Sequence, residues 1–255
     1  MKSTRIFDYY AFGHDFRLIN NAGLKGYSIK DAKEILGGFF YSLNELDLQV
    51  TDTAAEELRK EFDKLSQEVE SENGKDKIIP SSFTDKIYQE IRKIEAVLDA
   101  ELKLKTAYVL TKKRYSIETL LKTPKELLGA GVYDKLSGTA KKDFNLACIL
   151  IALDQPTGAA FHLMRTLEEQ VKTLYFAFKK TKRLDIPLWG PMTDQLKKKK
   201  APRPTDKLLT HLDGMRVHFR NPTQHPELFY TLDDAQDLLN QTITAVNMIQ
   251  QELPV

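Results

Sequence analysis

Apolar residues recur at three- and four-residue intervals along most of this 255-residue chain, the period of one helix face. Ala32, Ile35, Leu36, Phe39, Phe40 and Leu43 form such a stripe behind Ser28, a residue suited to an N-cap. Leu58, Phe62, Leu65 and Val69 continue in a second helix from about Thr53, which should end in the polar loop 71–76. A third helix is expected after Pro80, with Ser82 and Asp85 at capping-box spacing and Ile87, Ile91, Ile94 and Leu98 along its face. Two amphipathic helices flanking a polar loop predict a long antiparallel hairpin. Between Leu104 and Tyr115 the run Lys-Thr-Ala-Tyr-Val-Leu tolerates β structure, and one short strand is expected there.

The second half carries the stronger helical signals. Short helical pieces at 116–122 and 124–128 lead into Gly129, Gly131 and Gly138, which suggest a boundary. Residues 1–130 then read as an N-terminal helical region, regulatory or structural, and 131–255 as a helical bundle. Ser137 is placed to cap a helix ending before Pro156. The next, from about Thr157 to Lys180, has Ala160, Leu163, Leu167, Val171, Leu174 and Phe178 as its stripe. Trp189 opens a short piece running into a lysine run. Thr205 caps a helix with Leu208, Leu212, Met215 and Phe219 inward, and Pro222 should end it near Arg220. Thr231 and Asp234 form a capping box before the last helix. The fold class is all-α, with a C-terminal four-to-five-helix bundle.

Composition adds limits. Hydrophobic residues at 42% and charged residues at 29% are ordinary for a folded protein. Residues 172–207 hold 11 Lys and Arg against 3 Asp and Glu, so a polyanion would meet this region first. The single cysteine, Cys148, sits in an eight-residue apolar run and reads as a buried structural thiol. One cysteine permits no internal disulfide and no thiolate metal cluster. That run is far too short to span a membrane, and the first residues lack the apolar core of a signal peptide. A cytoplasmic protein without membrane association is expected. Neither a phosphate loop nor a nucleophile elbow is present, which argues against several enzyme classes.

One segment carries chemistry. In Arg220-Asn221-Pro222-Thr223-Gln224-His225, a permanent cation and a near-neutral proton carrier lie five residues apart, and Pro222 and Pro226 stiffen the connection. Arginine grips phosphate with a two-pronged fork, and histidine moves a proton to or from a ribose hydroxyl. Attack by RNA's own 2′-hydroxyl needs little else, and no cofactor is expected. A helix-end arginine is also commonly a solvated C-cap, so spacing alone leaves a structural role open.

This segment resembles the signature of the HEPN superfamily: an Arg, four to six intervening residues and a His, with Asn often following the Arg. The helix Phe161-His162-Leu163-Met164-Arg165-Thr166-Leu167-Glu168 resembles the R-x-x-E helix that precedes the motif, and Asp234-Ala235 resembles the start of the helix that follows. The likeness covers about residues 137–255. It implies a homodimeric bundle acting as a metal-independent endoribonuclease in defence, toxin–antitoxin or stress roles, leaving a cyclic phosphate. Its partners would be RNA and an antitoxin or regulatory protein. By position, Arg220 would bind phosphate, His225 would be general acid or base, and Asn221 would orient either. Glu168, tied to Arg165, would position Arg220. Lys197, Lys198, Lys199, Lys200 and Arg203 are candidates for an RNA-backbone track. One toxin branch carries a Tyr two residues after the His; Glu227 stands there and Tyr230 lies too far along. Some members of the superfamily lack activity, so a non-catalytic dimeric scaffold or partner-binding module is the alternative.

Overall fold

The computed structural model describes residues 4–69, 77–106, 108–223, 225 and 227–254, and among them every regular element is a helix. The chain divides into two compact units, Met1–Tyr108 and Val109–Val255. Residues 109–130 therefore belong with the second unit, and the division falls ahead of Gly129 and Gly131. No helix among the described residues is long and apolar enough to cross a membrane.

The first unit contains α1 (Ile6–Ala22), α2 (Ile29–Glu45), α3 (Gln49–Ala54), α4 (Glu56–Val69) and α5 (Ser81–Leu104). The Ser28 hydroxyl accepts the Asp31 N–H at 3.0 Å, and α2 buries Ala32, Leu36, Phe39, Phe40 and Leu43. Phe12 stacks on Phe39 at 5.5 Å between ring centroids, joining α1 to α2. The helix expected from Thr53 is instead two, meeting at Ala55. Glu101 of α5 anchors the first of them. Its buried carboxylate accepts the Val50 N–H at 3.1 Å, the Thr51 N–H at 2.7 Å and the Thr51 hydroxyl at 2.6 Å, fixing a separate start for α3. The expected capping box of Ser82 and Asp85 does not form. Pro80, extended at φ −60° and ψ 143°, takes the cap position, so α5 begins at Ser81 and Ser82 is already inside it. The expected loop at 71–76 lies outside the described residues, as do the side chains of Leu65 and Val69.

The second unit contains α6 (Ile117–Lys122), α7 (Gly138–Ala152), α8 (Pro156–Phe178), α9 (Trp189–Lys197), α10 (Asp206–Met215), α11 (Asn221–Thr223) and α12 (Leu232–Glu252). Its core helix is α8, which packs against α7, α9 and α12 and buries Ala160, Leu163, Leu167, Val171 and Leu174. Ser137, Thr205 and Thr231 cap α7, α10 and α12, and Thr231 with Asp234 completes a capping box. Trp189 is 1% exposed and is a core anchor. Cys148 is buried, which pushes its thiol up to about 12, so it stays protonated and inert.

The short strand expected between Leu104 and Tyr115 is absent among the described residues. Among the described residues no strand lies beside this segment to complete a ladder, and side chains hold it instead. Lys113 is buried with its ammonium 2.8 Å from Asp154 Oδ1, and Arg114 pairs with Asp233 and Asp237 at the start of α12.

Candidate functional site

The site segment departs from the sequence expectation at once. Pro222 does not end the helix at Arg220; residues Arg216–Arg220 form a π-helical turn that passes directly into α11. The Asn221 N–H donates to the Arg216 carbonyl, five residues back. This wider register removes the clash between a proline ring and the carbonyl four residues earlier, so the chain remains helical through Pro222. The Thr223 hydroxyl then donates to the Phe219 carbonyl at 2.6 Å and lies 2.8 Å from the Tyr230 hydroxyl. These bonds supply the last turn with partners that its backbone lacks.

His225 follows in a tight turn, its N–H donating to the Pro222 carbonyl at 2.9 Å. It is exposed, and together with Val217, Asn221, Pro222, Glu227 and Leu228 it lines an open concavity of about 370 Å³. Asn221 and His225 are thus brought together. Arg220 is not part of that lining. Its guanidinium is half-buried, with Nη2 3.5 Å from Glu168 Oε2 on α8, and its buried Nε meets no acceptor among the described residues. Gln224 and Pro226 lie outside the described residues, so the proline bracket rests on Pro222 alone.

The supporting residues rearrange. Arg165 is not tied to Glu168, as expected, but donates from Nε to Asp143 Oδ2 at 3.0 Å. Asp143 Oδ1 lies 2.7 Å from His162 Nδ1. Asp143 is 5% exposed, and a buried carboxylate must recruit donors, which explains why α8 turns both groups toward α7. The sequence held one signal of this cluster. Asp143 falls within the apolar stripe Ala140, Phe144, Ala147, Cys148, where a carboxylate demands partners.

Of the basic candidates, Lys197 pairs with Asp213 at 3.0 Å and Arg203 with Asp206 at 2.7 Å. Lys199 donates to the Lys200 and Pro202 carbonyls. Lys198 and Lys200 are exposed. The local charge is therefore partly neutralised: Asp213 also accepts from Arg216 at 2.8 Å, and its carboxyl is held below the usual range by Arg216 and then Lys197.

Compared with protein-family models, with curated proteins and with solved structures, this chain matches none.

Proposed function

We propose that this chain is a metal-independent endoribonuclease of HEPN type, working as a homodimer. The observation that carries the reading is the shared concavity of Asn221 and His225 beside an arginine already held by a carboxylate. Arg220, anchored by Glu168, keeps a fixed cation at one end of the motif. His225 presents an imidazole to solvent at the other. In the homodimer a second copy of the motif segment would stand opposite the first, so that a phosphodiester meets an arginine and a histidine together. In that setting His225 moves the proton, Asn221 orients the phosphate, and Arg220 favours the charge that builds on phosphorus oxygens. The ribose 2′-oxygen bonds to phosphorus and the 5′-oxygen leaves, giving a cyclic phosphate and a 5′-hydroxyl.

Incubating RNA with wild type and with His225→Ala in excess EDTA tests this. The reading requires cleavage by wild type and loss of about a hundredfold or more in the variant. Absence of cleavage, or equal cleavage by both, ends it.

A second reading has its own support. Val217 and Leu228 of the concavity are exposed, and so is Phe229 next in the chain, by 79%. An apolar rim of this kind suits a dimerisation surface with no chemistry, in which Arg220 and Glu168 form a structural pair. Wild-type protein that dimerises and cuts no RNA would favour this scaffold.

A further inference from the structure

The face of α8 that meets the motif segment contains a second group of donors. Thr157, Phe161, Arg165 and Glu168 recur at four-, four- and three-residue steps and so share one side of that helix. Both ends of this row are occupied. The Thr157 hydroxyl accepts the Tyr230 N–H at 3.1 Å, and Glu168 pairs with Arg220 at 3.5 Å. The chain from Arg220 to Tyr230 is thereby tied to α8 at two points about 16 Å apart along its axis. Phe161 and Arg165 occupy the turns between them, with 39% of Phe161 and 51% of the Arg165 side chain exposed.

These side chains are fixed in advance. Buried Asp143 holds Arg165 through Nε and His162 through Nδ1, so Nη1 and Nη2 of the arginine and Nε2 of the histidine have no partner among the described residues. The Arg165 guanidinium also lies 5.7 Å from the Phe161 ring centroid, and the His162 ring meets Phe161 edge-on at 5.6 Å. A buried carboxylate's need for partners explains Asp143. It does not explain why both partners leave their remaining nitrogens beside an exposed aromatic ring. A guanidinium and imidazole held rigid beside a part-exposed aromatic ring match the chemistry of a nucleotide: phosphate oxygens for the nitrogens and a base for the ring. Rigid placement lowers the ordering cost of binding.

We propose that Phe161, His162 and Arg165 form an RNA-binding subsite beside the Arg220–His225 segment, with Asp143 as its positioning residue. Arg165 grips a phosphate, His162 adds a contact through Nε2, and Phe161 stacks a base of single-stranded RNA. This rests on the nuclease reading only for the identity of the substrate.

The test is fluorescence anisotropy of a short labelled single-stranded RNA, in the full-length His225→Ala background so that cleavage does not intervene. Phe161→Ala and Arg165→Ala should each weaken binding about tenfold. Arg165→Ala should also reduce the salt dependence of binding by about one phosphate contact. Phe161→Ala leaves the Asp143 cluster intact and guards against misfolding, checked by an unchanged unfolding midpoint. Equal affinity in folded variants overturns the subsite even if wild type cuts RNA. Weakened binding in the variants, with no cleavage by wild type, supports the subsite and ends the nuclease reading. Absence of RNA binding by the background protein overturns the subsite, while cleavage by wild type alone decides the nuclease reading.

Discussion

Arg220 and Glu168 meet at 3.5 Å, joining the end of the π turn to the middle of α8, while about a quarter of each side chain remains exposed. The pair is half-shielded, and the buried Arg220 Nε has no other acceptor among the described residues. The interaction should therefore exceed a surface ion pair yet fall short of a fully buried one. Glu168→Gln and Arg220→Gln should each cost about 1–2 kcal/mol of stability. A double-mutant cycle should return a coupling of about 1 kcal/mol or more in denaturant unfolding. Strict additivity would show that the two side chains are neighbours without being partners.

Tyr230 acts on the same turn from the other side. Its hydroxyl lies 2.8 Å from Thr223 Oγ1 and 3.4 Å from the Phe219 carbonyl. Tyr230→Phe should cost about 1 kcal/mol. It should also raise amide exchange selectively in residues 219–225, read by hydrogen exchange. Exchange unchanged in that segment would mean that the π turn does not depend on the hydroxyl.

Four helix caps were legible in the sequence because they are local, whereas the box expected of Ser82 and Asp85 was displaced by Pro80. Ser28, Ser137, Thr205 and Thr231 each act within three residues, and each was placed from the chain alone. What escaped depended on distant partners. Glu101 starts α3 from 50 residues away, so this separate short helix had no nearby sign. The π turn was hidden because Pro222 disfavours an ordinary α-helix, and the register that accommodates it has no sequence signature of its own. Arg165 looked like a partner for Glu168 at three-residue spacing, but buried Asp143 on α7 takes it, since desolvation there outweighs a surface pairing. Asn221, His225 and the pairing of Arg220 with Glu168 were read from the sequence; that Asn221 and His225 line one concavity without Arg220 was visible only in three dimensions.

Glu101 makes the first unit sensitive to acid. Burial opposes its ionised form, but hydrogen bonds from the Thr51 hydroxyl and from the Thr51 and Val50 amides, with the Lys105 charge, outweigh it and hold the carboxyl below the usual glutamate value. A lowered folded-state pKa contributes stability that is full above the unfolded value of about 4.3 and is lost as pH falls through the folded value. Glu101→Gln places an amide N–H against donors, so it should cost about 1–3 kcal/mol at pH 7. The gap between wild type and variant should shrink below about pH 4. A gap that is constant from pH 7 to pH 3, measured by circular dichroism in denaturant, would show that the charge of Glu101 contributes nothing.

The proposed cleavage of RNA through the substrate's own 2′-hydroxyl can be checked with a matched pair of oligonucleotides. One is all ribose; the other carries 2′-deoxyribose at the cleaved position. Wild type in EDTA should cut the first to a cyclic phosphate and a 5′-hydroxyl and leave the second intact. Failure to cut the ribose strand, or equal cutting of both, would contradict it.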